Sequence, residues 1–353
     1  MAPTKVLITG VTGYIGGSIL SSLLSSPNQA TKDLQISVLT RNDNRAESFR
    51  ADGLKVYTIK DLDDAAAIKT AASENDVVIH TASGYHTASA KALIEGLGMR
   101  RKQKPDSDLY YIHTSGTSDL ADRPITKTYA ENRTFSDKDS DIYEYLKKRE
   151  SIEVYAQRTT DLVVVETGKK EGVPTTIIMS PTIYGVGSGK FNRLTIQYPL
   201  QIKAALAGGK PEYVGDGAGV WDYVHIQDLV QLYELVLLDW VEGRKAIPTG
   251  EKGIIFSATG SFAWKEVAEG IAKAGVELGQ FSSTETKSIS LEEAAKNWVG
   301  GDEQLCELGF ASNSRTKAEV GKELGWAPKK TRAHWEQSFK EEFEELLKKI
   351  KSA

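Results

Sequence analysis

The first sixteen residues constrain this chain more than any other stretch. Lys5 to Thr9 (KVLIT) is a short, β-branched apolar run, and Gly10-Val11-Thr12-Gly13-Tyr14-Ile15-Gly16 follows it at once. Apolar residues at helical spacing then run from Ile15 to Leu24 and stop at Pro27. Few folds accommodate a strand, a tight glycine turn and a helix in immediate succession. The glycines permit a sharp turn, a close approach of backbone N–H groups to a pyrophosphate and tight packing of helix on strand, with the anion at the helix N-terminus. A glycine triplet alone is weak evidence; its place at the head of a β/α series makes nucleotide binding the expectation.

That series continues. Gln35 to Thr40 (QISVLT), Leu54 to Ile59 (LKVYTI), Asp76 to His80 (DVVIH), Leu109 to His113 (LYYIH) and Thr175 to Ser180 (TTIIMS) read as further strands. Helical patterns cover Asp64 to Ala72, Ala88 to Arg101 and about Ile152 to Lys170. Such alternation predicts parallel strands with crossover helices. The expected fold is therefore α/β: a Rossmann-type doubly wound parallel sheet formed by residues 1–185, with a smaller C-terminal α/β substrate-binding portion. Residues 185–220 are glycine-rich and read as a loop-rich segment lying over a site. Helices are expected again at Gln227–Asp239, Trp264–Ala274, Leu291–Trp298 and Thr316–Leu324, with 222–240 returning to the first part and 186–353 mostly forming the second. A last helix places Trp335, Phe339, Phe343, Leu346, Leu347 and Ile350 on one side and Lys/Glu on the other, which predicts docking on the body.

Composition narrows the function classes. A chain of 353 residues buries roughly three quarters of its unfolded surface and needs no staple. With 40% apolar and 26% charged residues it is an ordinary globular sequence. The balance of 44 basic and 48 acidic residues, net -4, argues against a nucleic-acid partner. Cys306 is the sole cysteine and the five histidines are scattered, so neither a disulfide framework nor a metal site is expected. The N-terminus lacks the charged flank and apolar region of a secretory signal, and the most apolar later stretch, Leu229 to Val241, is broken by Gln231, Glu234 and Asp239. The expectation is a cytoplasmic protein that does not enter a membrane, in which Asn132-Arg133-Thr134 is a chance glycosylation triplet.

Thr9-Gly10-x-x-Gly13-x-x-Gly16 resembles the cofactor motif of the extended short-chain dehydrogenase/reductase family, the NAD(P)-dependent epimerase/dehydratase group. Asp61-Leu62 resembles that family's adenine-contacting pair, His80-Thr81-Ala82-Ser83 its turn beside the cofactor, and Pro181-Thr182-Ile183-Tyr184-Gly185 its Pro-x-x-Tyr-Gly turn. The segment from Trp221 to Leu229 resembles its Arg-Asp-Phe-Val-His-Val-Asp-Asp-Leu stretch, with Trp221 replacing the arginine, and Glu323 to Lys329 resembles its closing Leu-Gly-Trp-x-Pro. The resemblance spans nearly the whole chain. It implies an enzyme that holds a nicotinamide dinucleotide through Gly10, Thr12, Gly13, Tyr14, Ile15, Gly16, Asp61, Leu62, Thr81, Ala82, Ser83 and Thr114, and that acts on a small molecule. A homodimer is compatible with it, since related proteins often dimerise. At the end of the second strand an acid would bind a ribose 2′-OH, whereas an arginine accommodates a 2′-phosphate. The sequence there reads Leu39-Thr40-Arg41-Asn42-Asp43, so Arg41 predicts NADP(H) over NAD(H), with Asp43 close by as the competing residue.

In the family, hydride chemistry pairs a Ser/Thr after the fifth strand with Tyr-x-x-x-Lys, whose lysine lowers a tyrosine pKa that is normally about 10. Here the strand leads into His113-Thr114-Ser115-Gly116-Thr117; Gly116 stands at the serine's usual place, with Ser115 and Thr117 on either side. Tyr143 to Lys147 supplies a Tyr-x-x-x-Lys, but it lies about ten residues too far ahead of Pro181. Counting back from Gly172 and Asp161 instead puts Glu153 and Gln157 in the two places, with Tyr155 two residues away and Arg158 as a nearby cation. Three readings stay open: Tyr143 with Lys147 after an insertion; Tyr155, Tyr184 or a histidine of the loop His80–His86; or no redox chemistry at all. Gly187–Arg193, Tyr198–Tyr213, Trp221, Tyr223 and His225 are expected to line the substrate pocket, and Lys190, Arg193, Lys203 and Lys210 make no arginine cluster for a nucleotide-sugar diphosphate. The expected function is an NADP(H)-dependent oxidoreductase or epimerase/dehydratase-like enzyme for a small carbonyl or hydroxyl substrate, with a non-standard Ser/Tyr/Lys site. The alternative is a non-catalytic NADP(H)-binding sensor or partner-binding protein.

Overall fold

The computed structural model of the chain describes residues 3–41, 44–139 and 141–351. Its first half follows the apolar pattern closely: β1 (Lys5–Thr9), α1 (Tyr14–Ser25), the single turn α2 (Gln29–Lys32), β2 (Gln35–Arg41), α3 (Asn44–Ala51), β3 (Lys55–Ile59), α4 (Ala65–Ser73), β4 (Val77–His80), α5 (Thr87–Gln103) and β5 (Tyr110–Gly116). Val6, Leu7, Ile8, Val77, Val78 and Ile79 have no solvent exposure, because helices cover both sheet faces; continuous apolar runs are what such strands require. After the short β6 (Phe135–Ser136) come α6 (Ile142–Ile152), α7 (Ala156–Glu171), β7 (Thr175–Ser180) and β8 (Thr182–Tyr184). Then follow α8 (Gln197–Gly208), β9 (Glu212–Val214), β10 (Val220–His225), α9 (Ile226–Val241), β11 (Ile254–Phe256), β12 (Gly260–Ala263) and α10 (Trp264–Glu277). The remainder is β13 (Lys287–Ile289), α11 (Leu291–Val299), α12 (Glu303–Phe310), β14 (Thr316–Lys317), α13 (Val320–Glu323) and α14 (Arg332–Lys351).

Among the described residues the main sheet has seven strands in the order β3-β2-β1-β4-β5-β7-β11. All its neighbouring pairs are parallel. Strand order reverses between β1 and β4, and in open α/β sheets ligands bind outside the carboxyl ends at that point. Right-handed crossovers put α1 on one face, where it packs against α9, and α4, α5 and α7 side by side on the other. The smaller sheets are β12-β10-β8, β13-β9 and β14-β6. A second core, built on Tyr184, Tyr198, Trp221, Trp264, Trp335 and Phe339, lies between β8, β10, β12 and helices α8, α10 and α14.

Four sequence expectations need correction. The helix expected from about Ile152 starts at Ala156, because the chain breaks at Glu153-Val154-Tyr155 and an independent helix, α6, precedes it. The stretch 185–220 is not all loop, since α8 occupies twelve residues of it. Residues 316–324 are not one helix: the backbone N–H and hydroxyl of Thr316 both donate to buried Asp222, and Asp137 accepts from the N–H groups of Glu319 and Val320, which holds the first part extended. On α14, Trp335, Phe339, Phe343 and Leu346 dock as expected, whereas Ile350 is half exposed.

Candidate active site

The glycine turn is shaped by what it touches. Gly10 has φ +71, and a Cβ on it would fall 2.6 Å from the Thr81 carbonyl carbon; one on Gly16 would fall 2.2 Å from Thr81 Oγ1. Thr81 in turn stitches the two strand ends, its hydroxyl donating to the Thr9 carbonyl (2.6 Å) and its N–H to Thr9 Oγ1 (3.2 Å). His80 Nδ1 completes this link at 2.9 Å from Thr9 Oγ1. Ala82 and Ser83 thus follow at the mouth of the switch point. Gly13 caps α1 without any side-chain hydrogen bond, and the first turn holds no acid. The leading N–H groups of α1 therefore keep their capacity for an anion, and this start of the helix fits a dinucleotide pyrophosphate. Tyr14 is buried, its hydroxyl donating to the Gly185 carbonyl at 2.6 Å; Ile15 is half-buried, and the Thr12 carbonyl accepts from Asn192 N–H.

Arg41 is the last residue of β2 and exposed, opposite Ile59 of β3. Asn42 and Asp43 lie outside the described residues. Asp61 turns the chain after β3 by accepting from Asp63 N–H (3.0 Å), and Leu62 beside it is half-buried. Arg41 and the Asp61-Leu62 pair thus share one corner of the carboxyl edge.

On the other side of the switch point, the end of β5 splits its side chains between the two faces. Thr114 Oγ1 bonds Tyr233 OH of α9 (2.6 Å), while Ser115 Oγ donates to buried Asp161 of α7 (2.7 Å). Ser115 is thereby turned toward α7 and buried. A Cβ on Gly116 would lie 3.1 Å from the Gln157 amide, and one on Gly84 3.2 Å from the same group. Gln157 Oε1 accepts from Ser118 Oγ (2.6 Å), Tyr155 OH donates to Ser118 Oγ (3.3 Å), and Tyr85 OH sits 3.0 Å from Tyr155 OH. The structure thus gathers Tyr155, Tyr85, Ser118 and Gln157 at the ends of β4 and β5. Tyr85 and Ser118 went unread in the sequence; a Gly-Tyr pair just after the His-Thr-Ala-Ser turn was the available signal for the first.

Tyr143 and Lys147 are elsewhere. Tyr143 packs into the main core from α6, beside Glu166 and Glu251 at the end of the sheet where strands start, and burial, with help from these glutamates, pushes its hydroxyl up to about 12. Lys147 is exposed and paired with Glu144 at 3.1 Å. Glu153, which occupies the counted tyrosine place, faces away toward Arg123, Arg149 and Gln304. Arg158 is fully buried: its Nε and Nη1 donate to the Asp119 and Glu153 carbonyls and to Glu150, its Nη2 has no hydrogen-bond partner among the described residues, and its guanidinium lies 5.6 Å from the Tyr155 ring centroid. The loop histidines stand outside the tyrosine cluster as well: burial lowers His80 to about 4, and His86 caps α5 and faces Asp63. Tyr184 is buried against Tyr223 and His225.

Burial holds the Tyr155 hydroxyl well above its ordinary range, and Tyr85 and Asp119 add to the effect. Beneath the cluster, Asp119 and Asp161 are fully buried; desolvation and mutual repulsion raise Asp119, so this pair retains a proton. On the substrate side, Arg123 is paired with Glu307 (2.6 Å), Arg193 with the Gly187 carbonyl (2.8 Å) and Glu345, Lys190 with Asp52 (2.8 Å) and Lys210 with Glu285 (2.5 Å). Trp221, at the arginine position of the related motif, is buried and donates to Ser312 Oγ (2.9 Å).

Sheet order, glycine turn and open helix start together define a dinucleotide-binding protein of the Rossmann class. Residues 6–247 match the model of the NAD dependent epimerase/dehydratase family, and the chain belongs to that family. The oxidase ucsJ of an Acremonium species is 28% identical over 337 residues, 92% of each chain, and an uncharacterised Saccharomyces cerevisiae protein is 26% identical over 337 residues, 92% of this chain and 94% of that one. Among solved structures, a UDP-glucose 4-epimerase from Thermotoga maritima superposes with a TM-score of 0.64 at 15% identity, covering 98% of this chain and 100% of that one. The dTDP-glucose 4,6-dehydratase DesIV from Streptomyces venezuelae, solved with NAD bound, gives 0.63 at 17% identity with 97% of each chain covered. These two likenesses show the fold. Family membership makes the chain an oxidoreductase-like enzyme of an NAD(H)-binding group. No helix among the described residues is long and apolar enough to cross a membrane.

Proposed function

We propose that this enzyme is an NADP(H)-dependent oxidoreductase that reduces the carbonyl of a small substrate lacking a diphosphate, with Tyr155 as the proton donor. The observation that carries the reading is the Tyr155 hydroxyl, set between Tyr85 and Ser118 and beside the uncharged amide of Gln157. The N–H groups at the start of α1 would hold the pyrophosphate, Arg41 a 2′-phosphate, Asp61 and Leu62 the adenine, and Thr81, Ala82, Ser83 and Thr114 the nicotinamide half. Bound there, the dinucleotide supplies or accepts a hydride.

No lysine stands beside Tyr155 to favour its ionised form, while burial and Asp119 disfavour it. A tyrosine that keeps its proton is in the form that an oxygen gaining negative charge needs, whereas taking a proton from a hydroxyl would first require its phenolate. Reduction of a carbonyl is therefore favoured over the proton abstraction with which epimerisation or dehydration of a sugar begins. Ser118 fixes the hydroxyl's direction, Ser115 with Asp161 supports the strand end, and Tyr143 and Lys147 are packing and surface residues. Internal pairing of Arg123 and Arg193, and the aromatic surroundings Tyr155 shares with Tyr184, Leu194 and Trp221, support a substrate with an apolar or aromatic body.

NADPH consumption by the purified protein across a panel of aldehydes and ketones tests this. Tyr155→Phe should lose roughly a hundredfold or more in kcat, and Tyr143→Phe should match the wild type. Full turnover by Tyr155→Phe would refute the assignment; tight NADPH binding with no turnover at all would favour the non-catalytic sensor, a reading kept open by the absent lysine.

A further inference from the structure

We propose that Tyr85 is the solvent-side half of a two-tyrosine proton relay, returning a proton to Tyr155 after each turnover. The inference rests on the reading of Tyr155 as donor. Tyr155 is only 4% exposed and cannot recharge from bulk water directly, whereas Tyr85 is 44% exposed as a residue, although burial raises its hydroxyl's pKa as well. The two hydroxyls are 3.0 Å apart, and the rings meet edge to face with centroids at 5.9 Å. The other partner of Tyr155, Ser118, leads inward to Gln157 and not to solvent.

Recharging matters because of what surrounds the spent tyrosine. A buried phenolate costs free energy unless it is paired. Gln157 carries no charge, Nε and Nη1 of Arg158 are bonded to the Asp119 and Glu153 carbonyls and Glu150, and Asp119 beneath raises the cost of ionising Tyr155 further. The loop that carries Tyr85 is built to hold it in place. Gly84 fits between the Thr114 carbonyl and Gln157, where a Cβ would come within 3.0 and 3.2 Å, and Tyr85 N–H donates to Ser83 Oγ at 3.2 Å.

The balance is simple. The carbonyl carbon gains a hydride from the reduced nicotinamide dinucleotide, and its oxygen gains the Tyr155 proton as that O–H bond breaks. The Tyr85 O–H then breaks as the Tyr155 O–H reforms, and water restores the proton to Tyr85. Net, one hydride and one solvent proton convert the carbonyl to a hydroxyl.

Tyr85→Phe in the full-length enzyme keeps the ring contact and removes the relay atom. We expect kcat to fall about tenfold or more, with KM and the fluorescence-measured NADPH Kd unchanged and with a larger solvent deuterium isotope effect on kcat. Ammonium or imidazole added to Tyr85→Phe should restore turnover in proportion to its concentration and leave the wild type unaffected. A merely structural tyrosine would raise KM or loosen NADPH binding and show no such rescue, which overturns the relay, as does wild-type kcat with an unchanged isotope effect in Tyr85→Phe alongside an inactive Tyr155→Phe. Full activity in Tyr155→Phe overturns instead the reading on which the relay rests, and absence of turnover by the wild type with NADPH bound overturns both.

Discussion

A methyl group at Gly16 would meet Thr81 Oγ1 at 2.2 Å, so the residue is set by the approach of α1 to the end of β4, and sequence context alone was enough to read it. Arg41 is the counterpart on the ribose side. If it carries the preference proposed above, Arg41→Ala should weaken NADPH binding about tenfold, roughly 1.4 kcal/mol, and leave NADH almost unchanged in a fluorescence titration; equal wild-type affinities for the two would refute it. The residues around Tyr155 were harder to read for a physical reason. Gln157 could be counted into the lysine's place because a helix has fixed spacing, and it stands beside Ser118, Gly84 and Gly116. Glu153, counted the same way, turns toward Arg123, because the helix breaks and fixed spacing no longer applies.

That break belongs to the scale of elements. Tyr155 caps α7 in extended conformation (φ -137, ψ 119), and Glu150 of α6 spans the gap by accepting from its N–H at 3.1 Å. The break at 153–155 falls inside the helix expected from about Ile152, and α6 ahead of it went unread. At the far end of the chain, α14 inserts Glu342 into the junction between the two cores. This carboxyl is completely buried, accepts from Gly185 N–H (2.7 Å) and is pushed up to about 8 by burial. An acid whose folded pKa exceeds its unfolded value leaves full stability below the unfolded value, here 4.5, and loses it as pH climbs through about 8. The loss over that window runs at about 1.4 kcal/mol per pH unit. Glu342→Gln keeps the acceptor and removes the ionisation, so its thermal midpoint should exceed the wild type's by a margin that widens from pH 5 to about 8; parallel curves would contradict this.

At the scale of the whole molecule, the two parts interlock. β7 lies in the main sheet and β8, one residue later, in the three-stranded one; β10 pairs with β8, α9 packs on α1, and β11 returns to pair with β7. Buried carboxylates tie the late loops to the body, as Asp228 does by accepting from the N–H groups of Lys329 and Lys330. Neither part closes its sheet without the other. Calorimetry should therefore show one cooperative unfolding transition, displaced upward as a whole by NADPH, and two separable transitions with only one responding would count against it.

By itself the sequence determined the β/α order, the glycine turn and the corner where Arg41 meets Asp61-Leu62, since each depends on local backbone freedom or on neighbours along the chain. The tertiary structure alone decided which tyrosines meet at the ends of β4 and β5. Tyr143 was the better match to a motif, but its helix turns it into the core, whereas Tyr85 and Tyr155, 70 positions apart, meet at 3.0 Å. That meeting depends on β4 lying beside β5 and on a chain break that swings Tyr155 inward, and neither is written in the spacing of residues.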